Sequence, residues 1–227
     1  MTEPAALLRL LQLASPALPV GAYSYSEGLE TLSQQGTLSD AAALEAWLTH
    51  ELRYGTVQLE TSILLKAHRA TSRKDIEAIA EWNQWLSALR DTEELRQQSW
   101  QMGQSFKQLL IQLDPAFEPL LTFAPCNFAI AFAVAAAQWE LTPHEALLGY
   151  LYSWINTGIG AGVKLIPLGQ TAGQQLQQRL YPQLEATAAA ILECSTEEWD
   201  SAHEFCSWGL SLASMGHETL YSRLFRS

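Results

Sequence analysis

Apolar residues recur along this chain at helical spacing, and prolines, glycines and capping residues punctuate the pattern into segments. Leu7, Leu8, Leu10 and Leu11 form a stripe that begins after Pro4, a residue suited to a first helical position, and Pro16 and Pro19 stop it. Gly21 to Gly36 then predicts a second helix, with Gly36 at a left-handed C-terminal position. Ser39-Asp40 predicts a cap for a helix through Leu44, Trp47 and Leu48, and Gly55 a break before a run from Val57 through Leu65 to His68. A helix follows from about Asp75 to Leu89. Asp91 or Thr92 caps a long one carrying Leu95, Met102, Phe106, Leu109 and Leu113, which Asp114-Pro115 closes.

The second half reads the same way. From Cys126 to Trp139 almost every residue is apolar or small, which predicts a helix buried on all sides at the centre of a bundle. Thr142-Pro143-His144-Glu145 has the pattern of a capping box and opens a helix through Leu147, Leu148, Leu151 and Trp154. Thr171 with Gln174 marks a further start, and Pro182 is expected to kink or end the helix that follows. Ser195 with Glu198 is a third capping box, before a helix through Trp199, Phe205, Trp208 and Leu212 toward Gly216. Period-2 runs of β-branched residues are few, and hairpin signals and fixed repeats are absent. The expectation is an all-α fold, a single domain over residues 1–227 with about eight to ten helices and an interaction tail at 217–227.

Composition narrows the partners. The formal charge is −11, from 24 acidic against 13 basic residues, so nucleic acid is repelled and anionic lipid has no basic face to hold. The longest apolar run, Phe128 to Ala137, is shorter than the about 20 residues that cross a bilayer. Cys126, Cys194 and Cys206 form no CxxC pair and the N-terminus lacks a signal-peptide pattern, which fits a cytoplasmic setting.

One stretch departs from plain Leu/Ala helix: Pro19-Val-Gly-Ala-Tyr-Ser-Tyr-Ser-Glu-Gly-Leu-Glu30. A helix entered here presents hydroxyls and acids near its first turns, with Glu27 and Glu30 on one face. A loop and N-cap, in which Ser24 or Ser26 accepts from following amides and Glu27 complements the helix dipole, explains the same residues. The C-terminal Ser214 to Ser227 segment combines aromatics, aliphatics and two arginines in an acidic chain. Such residues are interface anchors, or they tie the tail to the chain's own bundle through Leu220, Tyr221 and Phe225.

Catalytic and metal patterns are weak. His50, His144, His203 and His217 each precede a glutamate, but Tyr54, Leu148, Ser207 and Tyr221 stand where the second histidine of HExxH belongs. His203 and Cys206 could touch one metal, short of the four ligands of a structural site, and His217 is a candidate surface metal contact. Gly158 to Lys164 lacks the GxxxxGK[ST] order; a helix with small residues for close approach fits better, leaving Lys164 as a cation beside Leu165, Ile166 and Pro167. No GxSxG elbow occurs, so no catalytic residue and no metal ligand set is assigned.

Three segments taken together, PVGAYSYSEGLE, Leu165-Ile-Pro-Leu-Gly-Gln-Thr171 and HETLYSRLFRS, resemble urease accessory protein F, UreF, in order from about Leu7 to Ser227; Asp91 to Gly103 is also similar. The resemblance implies an all-α, non-catalytic protein that dimerises, binds the accessory protein UreD (also called UreH), recruits the GTPase UreG and serves apo-urease. Nickel and GTP would be handled by that complex, with no cofactor bound by this chain. By matching positions, Tyr23, Tyr25, Ser26, Glu27 and Glu30 would belong to a partner-facing N-terminal signature. Lys164 would lie on the surface where UreG docks, and Arg223 and Phe225 in the segment ordered against UreD/UreH. Two other classes remain: a helical metal-dependent enzyme with dispersed His, Cys and Glu ligands, and a self-assembling bundle.

Overall fold

The computed structural model describes residues 3–194 and 208–227, and among them every regular element is helical. Ten α-helices follow in order: α1 (Pro4–Leu13), α2 (Leu29–Gln34), α3 (Ala41–Tyr54), α4 (Thr56–Ser72), α5 (Ile76–Leu89), α6 (Glu93–Leu113), α7 (Phe128–Gln138), α8 (Pro143–Leu165), α9 (Gln170–Glu193) and α10 (Trp208–His217). Short 3-10 turns at Ala22–Ser24 and Pro115–Leu120 complete the list of described helical elements. The third expected capping box at Ser195 and Glu198, with Trp199, His203, Phe205 and Cys206, lies outside the described residues.

Local chemistry sets most boundaries. Asp40 and Asp75 accept from the amides of Ala43 and Ala78 at 2.9 and 3.0 Å, and Thr92 accepts from Leu95 N–H at 3.3 Å, each satisfying an otherwise orphaned helix donor. At the head of α8 the capping box is reciprocal: Thr142 Oγ1 accepts from Glu145 N–H, and Glu145 Oε2 accepts from Thr142 N–H. The expected start of α9 shifts: the helix opens at Gly169 without a side-chain cap, so Thr171 already lies inside it. Of the two outcomes expected at Pro182, a kink or an end, the helix does not end there. Proline costs a helix interior about 3 kcal/mol, but Leu176, Leu180, Leu184, Ala188 and Ile191 are all buried along α9. At roughly 1.5–3 kcal/mol for each large side chain, burial outweighs the missing N–H.

The chain divides into two compact units. The first holds the described residues up to Gly21 together with Glu60–Tyr150. Its centre is α7, whose residues Phe128 to Ala136 are all buried, with α6, α5 and α1 packed against it. Phe132 and Tyr150 meet edge to face at 5.3 Å between centroids. Gly103 lets α6 approach the Cys126–Asn127 backbone, where any Cβ would collide with the Cys126 carbonyl. Asn127 is fully buried but satisfied: its side-chain amide donates to Asn83 and Ser87, its carbonyl accepts from Ser99, and its N–H donates to Asn83.

The second unit holds Ala22–Leu59 and the described residues from Leu151 onward. Here α3 lies against α9 and α10 against α2. The glycines of α8 have a packing role: a Cβ on Gly158 or Gly162 would press on Leu48 or Leu44 of α3. Gly158 to Lys164 is helix interior, as the small-residue reading expects, and not a phosphate loop.

Candidate functional site

In the second unit the Tyr/Ser/Glu stretch does not form the first turns of a helix. It makes the 3-10 turn Ala22–Ser24, after which Glu27 (φ 52°) and Gly28 (φ 78°) both take left-handed backbone, and α2 starts only at Leu29. The expectation of one continuous helix is corrected here, and its cause lies in the tail. Ser26 N–H and Ser26 Oγ–H both donate to the carbonyl oxygen of Ser227, at 2.7 and 2.6 Å, and Arg226 N–H donates to the Ser24 carbonyl at 2.9 Å. A backbone committed to that extended pairing cannot also close i to i−4 bonds. The C-terminus of α2 agrees with expectation: Gly36 (φ 76°) sits in a Schellman arrangement, with Thr37 N–H on Leu32 O and Gly36 N–H on Ser33 O.

Glu27 and Glu30 do not share a helical face. Glu27 Oε2 accepts from the Trp154 indole N–H at 2.9 Å, whereas Glu30, only 4% exposed, points at the tail. Its Oε1 accepts from Leu224 N–H at 2.7 Å and its Oε2 from Phe225 N–H at 3.0 Å. His217 Nε2 lies 3.2 Å from the same Oε2. The reading of His217 as a surface metal contact is thereby corrected: it is fully buried at the end of α10 and engaged by Glu30. Ser26 contributes little as a cap, since Glu30 N–H is 3.4 Å from its Oγ while its short bond goes to Ser227.

Around this buried set lies an exposed rim. Phe225 is buried, and Lys164, exposed in the last turn of α8, places its Nζ 5.2 Å from the centre of the Phe225 ring. The same ammonium donates to the Tyr23 carbonyl at 3.3 Å. Tyr25, Ser26 and Glu30 are buried; Tyr23, Lys164 and Arg223 face solvent, and Glu27 is half-buried. Tyr221 and Leu224 are exposed beside them, and α10 turns Trp208, Leu212 and Met215 outward at i, i+4 and i+7.

Chemistry beyond binding has little to work with among the described residues. They contain no group of three or more His, Cys, Asp or Glu that could hold a metal ion. The Cys126 thiol is pushed up to about 12 by burial, which makes it a poor nucleophile and ligand at neutral pH. An apolar recess of about 390 Å3, lined by Leu32, Thr37, Leu38, Ala43, Ala46, Trp47 and His50, lacks the converging polar groups of an active site. No described helix is long and apolar enough to cross a membrane.

The model of the UreF family matches residues 38–181. The chain belongs to the UreF family. A urease accessory protein UreF of Nostoc sp. strain PCC 7120 is 52% identical over 222 residues, covering 97% of this chain and 95% of its own length. The Microcystis aeruginosa UreF is 52% identical over 227 residues with both chains fully covered, and that of Chromohalobacter salexigens is 38% identical over 226 residues, 99% and 96% of the two chains. The UreF resemblance rested on segments far apart in sequence, and two of them meet here: the PVGAYSYSEGLE stretch receives the SRLFRS tail. Sequence reading missed Trp154 as the partner of Glu27 and His217 as the partner of Glu30. The contacts span 127 and 187 positions, so no local spacing announces them.

Proposed function

We propose that this chain is a non-catalytic adaptor in urease maturation, which joins UreD/UreH to the GTPase UreG so that GTP-dependent nickel insertion into apo-urease can proceed. The observation that carries this reading is the composite surface around the tail, where Tyr23, Lys164 and Arg223 stand exposed over a buried Tyr25, Ser26, Glu30 and Phe225. Aromatic, aliphatic and cationic groups together are what protein interfaces use as anchors. In this proposal the exposed members meet the partners, Lys164 on the UreG side and the tail with Arg223 on the UreD/UreH side. Tyr25, Ser26, Glu27 and Glu30 shape that surface from beneath. The outward stripe of α10 supports a protein partner, because contiguous exposed apolar side chains mark interaction sites.

Homodimerisation belongs to the same proposal. Leu7, Leu8 and Leu11, predicted as a stripe, are exposed on α1, which gives a second copy an apolar face to cover. The partners place the chain in the cytoplasm. The adaptor supplies geometry, and it couples GTP hydrolysis to metal release only if its partners bind it differently in the two nucleotide states.

The test separates the two sides of the surface. Lys164→Ala is expected to weaken UreG recruitment while UreD/UreH capture is retained; equal loss of both would contradict the assignment. Removing residues 221–227 is expected to lower UreD/UreH capture with helicity by circular dichroism preserved. Undiminished capture would refute the role given to the tail.

A further inference from the structure

We infer that Trp154 of α8 is a positioning residue: its indole N–H holds Glu27 and thereby fixes the turn that carries Tyr23 to Glu27 beside Lys164. The starting observation is a disfavoured backbone. Glu27 adopts φ 52°, in the left-handed region that a residue with a Cβ rarely enters, and Gly28 follows at φ 78°. Such a residue persists only where its surroundings over-determine it. A glycine would take the same backbone freely, so what distinguishes glutamate at this position is its side chain. Its Oε2 accepts from Trp154 Nε1–H at 2.9 Å, across 127 positions of sequence. Both partners are half-buried, where a hydrogen bond to a carboxylate counts for more than it does in open water.

The stretch is thereby held by α8 at two points. Lys164, in the last turn of the same helix, donates to the Tyr23 carbonyl at 3.3 Å. That bond is exposed and long, whereas the Trp154 bond is shorter and half-buried, so the second carries more of the restraint. The helix itself has little freedom, because Gly158 and Gly162 seat it closely on Leu48 and Leu44 of α3. Trp154 therefore ties the turn to a helix already fixed within the second unit. The consequence for binding is geometric: the exposed Tyr23 and the Lys164 ammonium are kept at one separation, and a surface so preorganised loses less freedom when a partner docks. This consequence rests on the reading of Lys164 as the UreG side of the surface.

The test is a double-mutant cycle on the full-length chain with two readouts. The first is hydrogen exchange, by mass spectrometry, of the peptide covering Ala22 to Leu29, in which the Tyr25 and Leu29 amides donate to the Ala22 and Ser26 carbonyls. Trp154→Phe, which keeps a ring and removes the donor, and Glu27→Ala are each expected to speed that exchange about tenfold, the scale of losing a hydrogen bond to a charged group. Glu27→Gln, whose amide oxygen still accepts and whose backbone cost is the same, is expected to stay within about threefold of the parent chain. The double variant Trp154→Phe with Glu27→Ala is expected to match the faster single one, because both remove the same bond. If Trp154→Phe does not fold, the Glu27 pair carries the test. Effects that multiply to about a hundredfold in the double variant, equal acceleration by Glu27→Ala and Glu27→Gln, or acceleration by neither Trp154→Phe nor Glu27→Ala would overturn the positioning role. The second readout is the affinity of UreG for the chain bound to UreD/UreH, expected to fall about tenfold in Trp154→Phe and to be kept in Glu27→Gln. Faster exchange with unchanged UreG affinity supports the positioning role and refutes instead the reading of this face as the UreG side.

Discussion

Gly28 lies at the junction of the Tyr/Ser/Glu stretch and α10, and substituting it by alanine separates two physical costs. Its φ of 78° belongs to the left-handed region, where a residue with a Cβ is disfavoured by about 1–2 kcal/mol. A Cβ there would also stand 2.9 Å from Ala213 Cβ and 3.3 Å from Ser214 N, both rigidly attached to α10. Neither neighbour is the end of a swinging side chain, so the helix itself must yield, at the roughly 1–3 kcal/mol typical of overpacking. Reduced freedom of the unfolded chain returns about 0.4–1 kcal/mol. The net expectation for Gly28→Ala is about 1–5 kcal/mol of destabilisation. Gly36 supplies the control: its φ is 76°, yet a Cβ there meets nothing within 4 Å. Gly36→Ala should therefore show the backbone cost alone, and the gap between the two variants should be about 1–3 kcal/mol, the packing term. Urea titrations followed by tryptophan fluorescence and circular dichroism measure both. Equal destabilisation by the two substitutions would refute the close approach of α10 to Gly28.

Three further outcomes follow from the first unit. His68 Nε2–H donates to the Leu141 carbonyl at 2.9 Å, and burial lowers the imidazole pKa below its ordinary 6.5. The unfolded chain then binds the proton more readily, so stability is full above about 6.5 and falls as pH drops through the window down to the folded value; His68→Gln should flatten that loss in urea titrations between pH 7 and 5. Cys126 should resist iodoacetamide at pH 8 in the folded chain and react on denaturation, whereas the half-buried Cys194 reacts earlier, as peptide mass mapping would show. Gly103→Ala should lower the thermal midpoint despite alanine's better helix propensity of about 1 kcal/mol, because its Cβ meets the Cys126 carbonyl; a raised midpoint would contradict that contact.

What was legible in the sequence was whatever is decided within a few residues. Asp40, Asp75, Thr92 and the Thr142/Glu145 pair each bond an amide three positions away, and each helix start they predict is found. Total apolar content identified α7 as buried. At Pro182 the sequence left a kink or an end open, and the helix runs on because the burial of leucines on both sides, a tertiary effect, outweighs the local cost. The Tyr/Ser/Glu stretch misled for a related reason. The N–H and hydroxyl of Ser26 are taken by Ser227, 201 positions away, and no periodicity reports a bond of that span. The two segments were recognisable separately as unusual, and only folding shows that one is the seat of the other.

The central claim, that the chain works as an adaptor, is tested most directly by activation of purified apo-urease with nickel and GTP in the presence of UreD/UreH and UreG. Omitting this chain is expected to leave urease largely inactive, and adding it to restore activation. Lys164→Ala and the chain lacking residues 221–227 should each restore only a small part. Full activation without the chain, or undiminished activation by both variants, would contradict the account.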